Sequence, residues 1–327
     1  MDAQVLLGPQ VVRPDEVQYV SLNDDLVGAL TPGHKRTIKT KSDGNEDCLA
    51  LIRFGTAGEL MLVADAHFGA ATSVQAIREF PTLFSRFQGS PESRLFFTHL
   101  ELDRQLAEMK SKHSSVSEGC STTLLSVWFD GSFLTWASSG DSILVLFREG
   151  KMQQINQTHH AMYLGDAYNA PHRCNEQLQA YLPEVVLADS HKRDQALLGL
   201  VQTSMNRDLF KDNEGRAKDM IHALENMLGT ELSVAPKDIM TPWSPLNICL
   251  AQFIPEFGRF APQPGDTLLM ATDGIDPSVS GVPFEKLKEL IEQRDKSVRE
   301  RLGDVMDRVL SREGGMDNCA LILKQWN

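Results

Sequence analysis

The chain has 327 residues, 42% of them hydrophobic and 23% charged, proportions that exclude a disordered or fibrous chain and suit a globular one with a sizeable core. Its 32 Lys and Arg against 44 Asp and Glu leave a formal net charge of −12, which disfavours general binding to nucleic acid or to an anionic membrane. No apolar run approaches the ~20 residues of a spanning helix, no signal peptide is read at the amino terminus, and five cysteines without a Cys-x-x-Cys pair read as reduced thiols of a cytoplasmic protein.

In chain order, residues 1–40 carry short apolar patches interrupted by Pro14, Pro32 and Gly33, and are expected to form an arm or an edge strand. Two apolar runs, 48–54 and 59–64, flank Gly55-Thr56-Ala57-Gly58, a hairpin signal. Residues 70–87 and 92–112 repeat apolar side chains every three or four positions, including Leu95, Phe96, Leu102 and Leu106, which predicts two amphipathic helices; Pro81 is a candidate break in the first. Strands are expected at 122–129 and 132–138, joined through Asp130-Gly131, then at 142–147 and 152–155. Residues 156–245 read as an insertion or enlarged flap within one domain spanning 1–327; His159, His160 and His172 inside it read as loop or surface residues rather than a zinc site. A strand is expected at 266–272, one closing amphipathic helix at 284–310 with Leu287, Leu290, Ile291, Leu302 and Val305 turned inward, and a last strand at 319–323. Strands clustered around two early helices argue for an α+β fold over a parallel sheet with alternating helices.

Carboxylates stand at the edges of three of these apolar runs, in Asp65-Ala66-His67, Asp273-Gly274 and Asp317-Asn318. Any one of them alone is ordinary turn chemistry. Brought together they repel, each pair by ~4 kcal/mol at contact distance for an effective dielectric of about 20. A fold that gathers them needs a cation or a proton among them. Oxygen-only ligands select hard ions, magnesium or manganese, over zinc or copper.

The order and company of these motifs carry more weight than any single one. Asn45-Glu46-Asp47, Asp65-Ala66-His67-Phe68-Gly69, Gly119-Cys120-Ser121-Thr122-Thr123, Ser139-Gly140-Asp141-Ser142, Asp273-Gly274 and Asp317-Asn318 follow one another along the chain. The set resembles the metal-dependent serine/threonine protein phosphatases of type 2C, the PPM family, over residues 40–155 and 245–325. The resemblance implies two antiparallel β-sheets packed as a sandwich, with helices on both outer faces. It also implies hydrolysis of phosphoserine and phosphothreonine in proteins by a metal-activated water, with two Mn²⁺ or Mg²⁺ ions and no covalent phospho-enzyme. Carried over by motif, Asp65 bridges the two ions, Asp273 and Asp317 complete the shell of one, and Asp47 serves the other. Ala66 offers its backbone carbonyl, and Glu46 orients metal-bound waters from outside the shell. His67, two positions after Asp65 and so on the same side of an extended segment, is the candidate general acid. Asp141 matches a weaker third metal position. The implied partner is a phosphorylated protein, with neither nucleic acid nor membrane; the oligomeric state stays open.

Several positions depart from the family pattern. Ala66 and Phe68 stand where glycines are usual, and Pro277 occupies the place of an acidic residue that supports the third ion, Asp276 lying one position earlier. The arginine that grips the substrate phosphate is replaced by Ser42, with Arg36, Lys39 and Lys41 nearby; Lys41 or Arg36 is the candidate substitute, a solvated surface cation being the plainer reading of each. These departures leave two alternatives to a protein phosphatase: a pseudophosphatase that binds and regulates, and a phosphatase of a small metabolite whose pocket is shaped by residues 156–245.

Overall fold

The computed structural model describes residues 1–13, 16–34, 44–67, 69–113, 120–156, 256–311 and 317–327. The expected insertion, apart from Asn156, lies outside them, as do Arg36, Lys41, Phe68 and Gly119. The chain opens with β1 (Asp2–Leu7), β2 (Gln18–Asn23), β3 (Leu26–Thr31), the hairpin β4 (Cys48–Arg53) and β5 (Glu59–Ala64), and the short β6 (Ala66–His67). Helices α1 (Ala71–Arg86) and α2 (Pro91–Lys112) follow, then β7 (Ser121–Thr122), β8 (Leu124–Phe129), β9 (Leu134–Ser139), β10 (Ile143–Arg148) and β11 (Lys151–Gln154). The last described stretch carries β12 (Glu256–Phe260), β13 (Thr267–Ala271), α3 (Pro277–Ser280), α4 (Phe284–Ile291), α5 (Val298–Val309) and β14 (Cys319–Gln325).

Among the described residues two six-stranded sheets result, in the orders β1-β4-β5-β8-β9-β12 and β11-β10-β13-β14-β3-β2, with β6 and β7 paired apart from both. Each ladder among them is antiparallel. Alternation along the strands explains the layering. In β4, β5, β8, β13 and β14, side chains such as Leu49, Leu51, Met61, Val63, Val127, Leu268, Met270 and Ile322 form the core between the sheets. The opposite faces of β13 and β14, through Leu269, Ala271, Leu321 and Leu323, pack on Leu287, Ile291, Leu302 and Val305 of α4 and α5. Helices α1 and α2 cover the other outer face, α1 against β4 and β5 and α2 against β9 and β12. This is the expected α-β-β-α sandwich. Among the described residues no helix is long and apolar enough to cross a membrane.

Three local expectations are corrected. Residues 1–40 supply more than an arm or edge: β1 and β2 do lie at sheet edges, but β3 is wholly buried between β14 and β2, because Leu26 and Leu30 face one layer and Val27 and Ala29 the other. Pro81 does not end α1, which continues to Arg86. The buried Phe80, Leu83 and Phe84 on either side hold the helix to the sheet against a helix-interior proline penalty of about 3 kcal/mol. The closing helix is two helices, α4 and α5, and Ser297 restarts the second: its Oγ accepts from Glu300 N at 3.2 Å while Glu300 Oε2 accepts from Ser297 N at 2.8 Å.

Candidate active site

The antiparallel register gathers the candidate carboxylates at one end of the sandwich. Cys48 of β4 faces Ala64 of β5, so Asp47, just before one strand, and Asp65, just after the other, emerge together. Ala271 faces both Ile143 and Leu321, which brings the turn holding Asp141, the turn after β13 holding Asp273, and the approach to β14 holding Asp317 to the same end of the second sheet. Pairing of Ala66 with Thr122 and of His67 with Ser121 then ties the segment after Asp65 to the segment before β8.

Neutral side chains fix this arrangement. Asp65 is held through its backbone: its N–H donates to Thr123 Oγ1 at 3.1 Å, and its carbonyl accepts from Thr123 N at 2.7 Å and Thr122 Oγ1 at 3.0 Å. Asp47 N donates to Asn45 Oδ1 at 3.1 Å, and Asp47 Oδ2 accepts from Thr272 Oγ1 at 2.7 Å. Asn318 accepts from Glu46 N and donates through Nδ2 to the carbonyl of Pro32, both at 2.9 Å, joining three distant segments behind the site. Two glycines permit close approaches here. A Cβ on Gly274 would lie 1.9 Å from the carbonyl oxygen of Asn318, and Gly140, at φ 106°, would meet Thr123 Cγ2 at 2.5 Å.

The electrostatics are those of an acidic cluster short of positive charge. Burial pushes Asp47 up to about 7, with Asp273 and Asp317 adding to the effect and the Thr272 hydrogen bond opposing it. Asp65 is held well above the ordinary carboxylate range, first by burial and then by Asp47, Asp273, Asp141 and Asp317. Asp273 is pushed up to about 6 by burial and by Asp141 and Asp317, while His67 pulls the other way. Asp65 holds the central position among the five, since all four of the others act on it. His67 Nδ1 is 3.9 Å from Asp65 Oδ1 with its ring 30% exposed, open to solvent on one side and facing the carboxylates on the other. Ala66 is buried beside them. Glu46, expected as a water-orienting residue, is 1% exposed, and its Oε1 accepts from Gly69 N, so its carboxylate secures the loop leading into α1.

Among the described residues no group of three or more His, Cys, Asp or Glu side chains is placed to hold a metal ion as it stands. The donor chemistry nevertheless fits hard divalent cations: burial and neighbouring carboxylates raise the proton affinity of Asp47, Asp65 and Asp273, a cost relieved either by protons or by cations that oxygen ligands favour. The structure thus brings Asp47, Asp65, Asp141, Asp273, Asp317, Ala66 and His67 together, and Glu46 just behind them.

A profile of the protein phosphatase 2C family matches residues 45–316, the span from Asn45 to the residue before Asp317. The chain belongs to the protein phosphatase 2C family. Solved structures share the fold of this phosphatase 2C chain at low identity. A bacterial serine phosphatase matches with TM-score 0.56 and 16% identity over 95% of this chain and 98% of its own. The Ser-Thr phosphatase MsPP from Mycobacterium smegmatis, solved with cacodylate, matches at 0.52 and 17% over 94% and 99%. The catalytic domain of the serine/threonine phosphatase PstP, solved with two manganese ions, matches at 0.53 and 17% over 94% and 97%. Among curated proteins no sequence matches.

Sequence reasoning gave no role to the neutral residues that hold this type 2C site together, Thr272, Thr123 and Asn318. Thr123 and Asn318 lie within named motifs and Thr272 directly precedes one, and a hydroxyl or amide at a strand edge is the signal by which they were accessible.

Proposed function

We propose that this type 2C chain is a metal-dependent phosphomonoesterase that removes phosphate from serine and threonine of phosphorylated proteins. The observation that carries the reading is the convergence of Asp47, Asp65, Asp141, Asp273 and Asp317 at one end of the sandwich, where the strand register brings their turns together and burial with neighbouring carboxylates raises the proton affinity of Asp47, Asp65 and Asp273. Asp65, Asp273, Asp317, Asp47 and the Ala66 carbonyl would hold two Mn²⁺ or Mg²⁺ ions, with Asp65 shared between them. Asp141 would face a third and weaker one, for which Pro277 in place of a carboxylate leaves little support. Bound divalent ions supply charge neutralisation for phosphoryl oxygens and acidify an attacking water.

The chain's own groups do the rest. Thr122 and Thr123 fix the Asp65 backbone, and Thr272 and Asn45 fix Asp47, so the carboxylates are oriented before substrate arrives. Water adds an oxygen to phosphorus as the bond to the seryl or threonyl oxygen breaks, and His67 delivers the proton that the departing oxygen requires. Arg36 or Lys41 would complement the phosphate charge. A pure binding module would have no need of the full carboxylate set, so the pseudophosphatase reading is not favoured.

We further infer that residues 1–327 form one phosphatase domain, with 156–245 inserted as a flap. In support, β11 before the insertion and β12 after it belong to the two sheets of one sandwich. A cytoplasmic location is supported by the free, buried thiols of Cys48, Cys120 and Cys319. The test is hydrolysis of an aryl phosphate and a phosphothreonine peptide with manganese and with chelator. Turnover that needs metal and is abolished in Asp65→Asn is expected; metal-independent turnover, or an active Asp65→Asn, would reject the assignment.

A further inference from the structure

Thr272 is fully buried at the end of β13, one position before Asp273. It is clamped to β14 twice, its N–H donating to the carbonyl of Ala320 at 3.0 Å and its Oγ1 accepting from Ala320 N at 2.9 Å. Ala320 N–H can only donate, so the one hydroxyl hydrogen of Thr272 is directed elsewhere. It goes to Asp47 Oδ2 at 2.7 Å, across to the segment that starts β4 in the other sheet. One small side chain therefore connects both sheets at the acidic end and determines which way the Asp47 carboxylate turns. A donor is the right chemistry at this place. It holds Oδ2 of Asp47 as an acceptor and brings no full positive charge that would compete with a cation.

We propose that Thr272 is a positioning residue that presents Asp47 to the divalent ion, and that its hydroxyl sets how tightly this ion is held. This rests on the metal-dependent reading of the site. It assigns to a neutral residue outside the carboxylate motifs a share of metal affinity that the carboxylates alone would not provide. Thr272, fully buried, acts through Asp47.

Manganese titration by calorimetry on the full chain, paired with steady-state kinetics, provides the test. Wild type must first bind manganese and turn over; if it does neither, the functional reading fails, and the role of Thr272 in metal binding falls with it. Given an active wild type, Thr272→Val, close in shape but lacking the hydroxyl, is expected to weaken manganese binding about 10–100-fold, as loss of an outer partner of a metal ligand does. Its kcat at fixed metal should fall with KM for substrate little changed, and Thr272→Ser should restore both. A purely structural role through Ala320 N is separated by repeating Thr272→Val in an Asp47→Asn background. The manganese effect should vanish there while the loss of thermal stability persists. Should Thr272→Val fail to fold, Thr272→Ala takes its place against Thr272→Ser. Wild-type affinity in the variant that lacks the hydroxyl, failure of Thr272→Ser to restore binding, or an undiminished effect in the Asp47→Asn background would each overturn the proposal.

Discussion

Replacing one aspartate of the cluster is expected to stabilise the metal-free protein and abolish its response to metal. Asp273→Asn is the informative change, because burial and then Asp141 and Asp317 raise this carboxyl from the ordinary 3.8 to about 6. Unfolded, the group gives up its proton above about pH 4; folded, it keeps the proton until about pH 6. Metal-free wild type therefore loses stability from this group as pH rises through that window, and at pH 8 the loss is complete. A difference of about two pH units corresponds to roughly 3 kcal/mol. Asparagine keeps the shape and removes the charge, so in chelator at pH 8 the variant should melt higher, on the order of 5 °C for a domain of this size. At pH 4 the two proteins should converge. Excess manganese should invert the order: at a thousand times its dissociation constant wild type gains about 4.1 kcal/mol, more than the roughly 3 kcal/mol deficit, and the variant gains little. Thermal melts of both proteins at pH 4 and 8, with chelator and with manganese, read all of this. A variant less stable than wild type in chelator at pH 8, or stabilised by manganese to the same degree, would refute the reasoning.

Other outcomes follow from residues around the cluster. His99, buried between Ser126 Oγ at 2.8 Å and Ser139 Oγ at 3.1 Å, has its pKa pushed down to about 3 by burial. Unfolded it takes a proton below about pH 6.5, so stability from this group falls as pH drops from there towards 3, by about 1.4 kcal/mol per pH unit. His99→Gln should show a flatter acid dependence in denaturant titrations, and an identical slope would contradict the buried neutral ring. Gly274→Ala places a methyl 1.9 Å from the carbonyl of Asn318. Relieving that overlap must separate the Asp273 and Asp317 turns, so a loss of about 1–3 kcal/mol together with weakened manganese binding is expected; a variant with wild-type affinity would show that the approach is not needed. Asn318→Ala leaves Glu46 N and the Pro32 carbonyl without their side-chain partner and should cost about 1–3 kcal/mol, read by denaturant melts, whereas no change would mean that water replaces the amide.

The fold was legible where one rule dominated. Gly55-Thr56-Ala57-Gly58 and Asp130-Gly131 do join paired strands, and apolar spacing across 70–112 does mark two helices. It was less legible where tertiary packing outweighed local chemistry, as at Pro81, or where a local signal went unread, as at Ser297-x-x-Glu300, which splits the last helical stretch. The short first strands were underrated because a run of four or five apolar residues such as 26–30 has no period of its own, and only a place between two other strands gives it both buried faces. At the site, the carboxylates declared themselves through position at strand ends. Thr272, Thr123 and Asn318 did not, since a buried hydroxyl or amide becomes meaningful only when its partner, far away in sequence, is known.

Anomalous scattering from crystals soaked in manganese tests the central claim most directly. Two peaks flanking Asp65, one within reach of Asp47 and the other within reach of Asp273 and Asp317, are the expected result. Crystals that bind manganese only away from Asp65, or not at all, would contradict it.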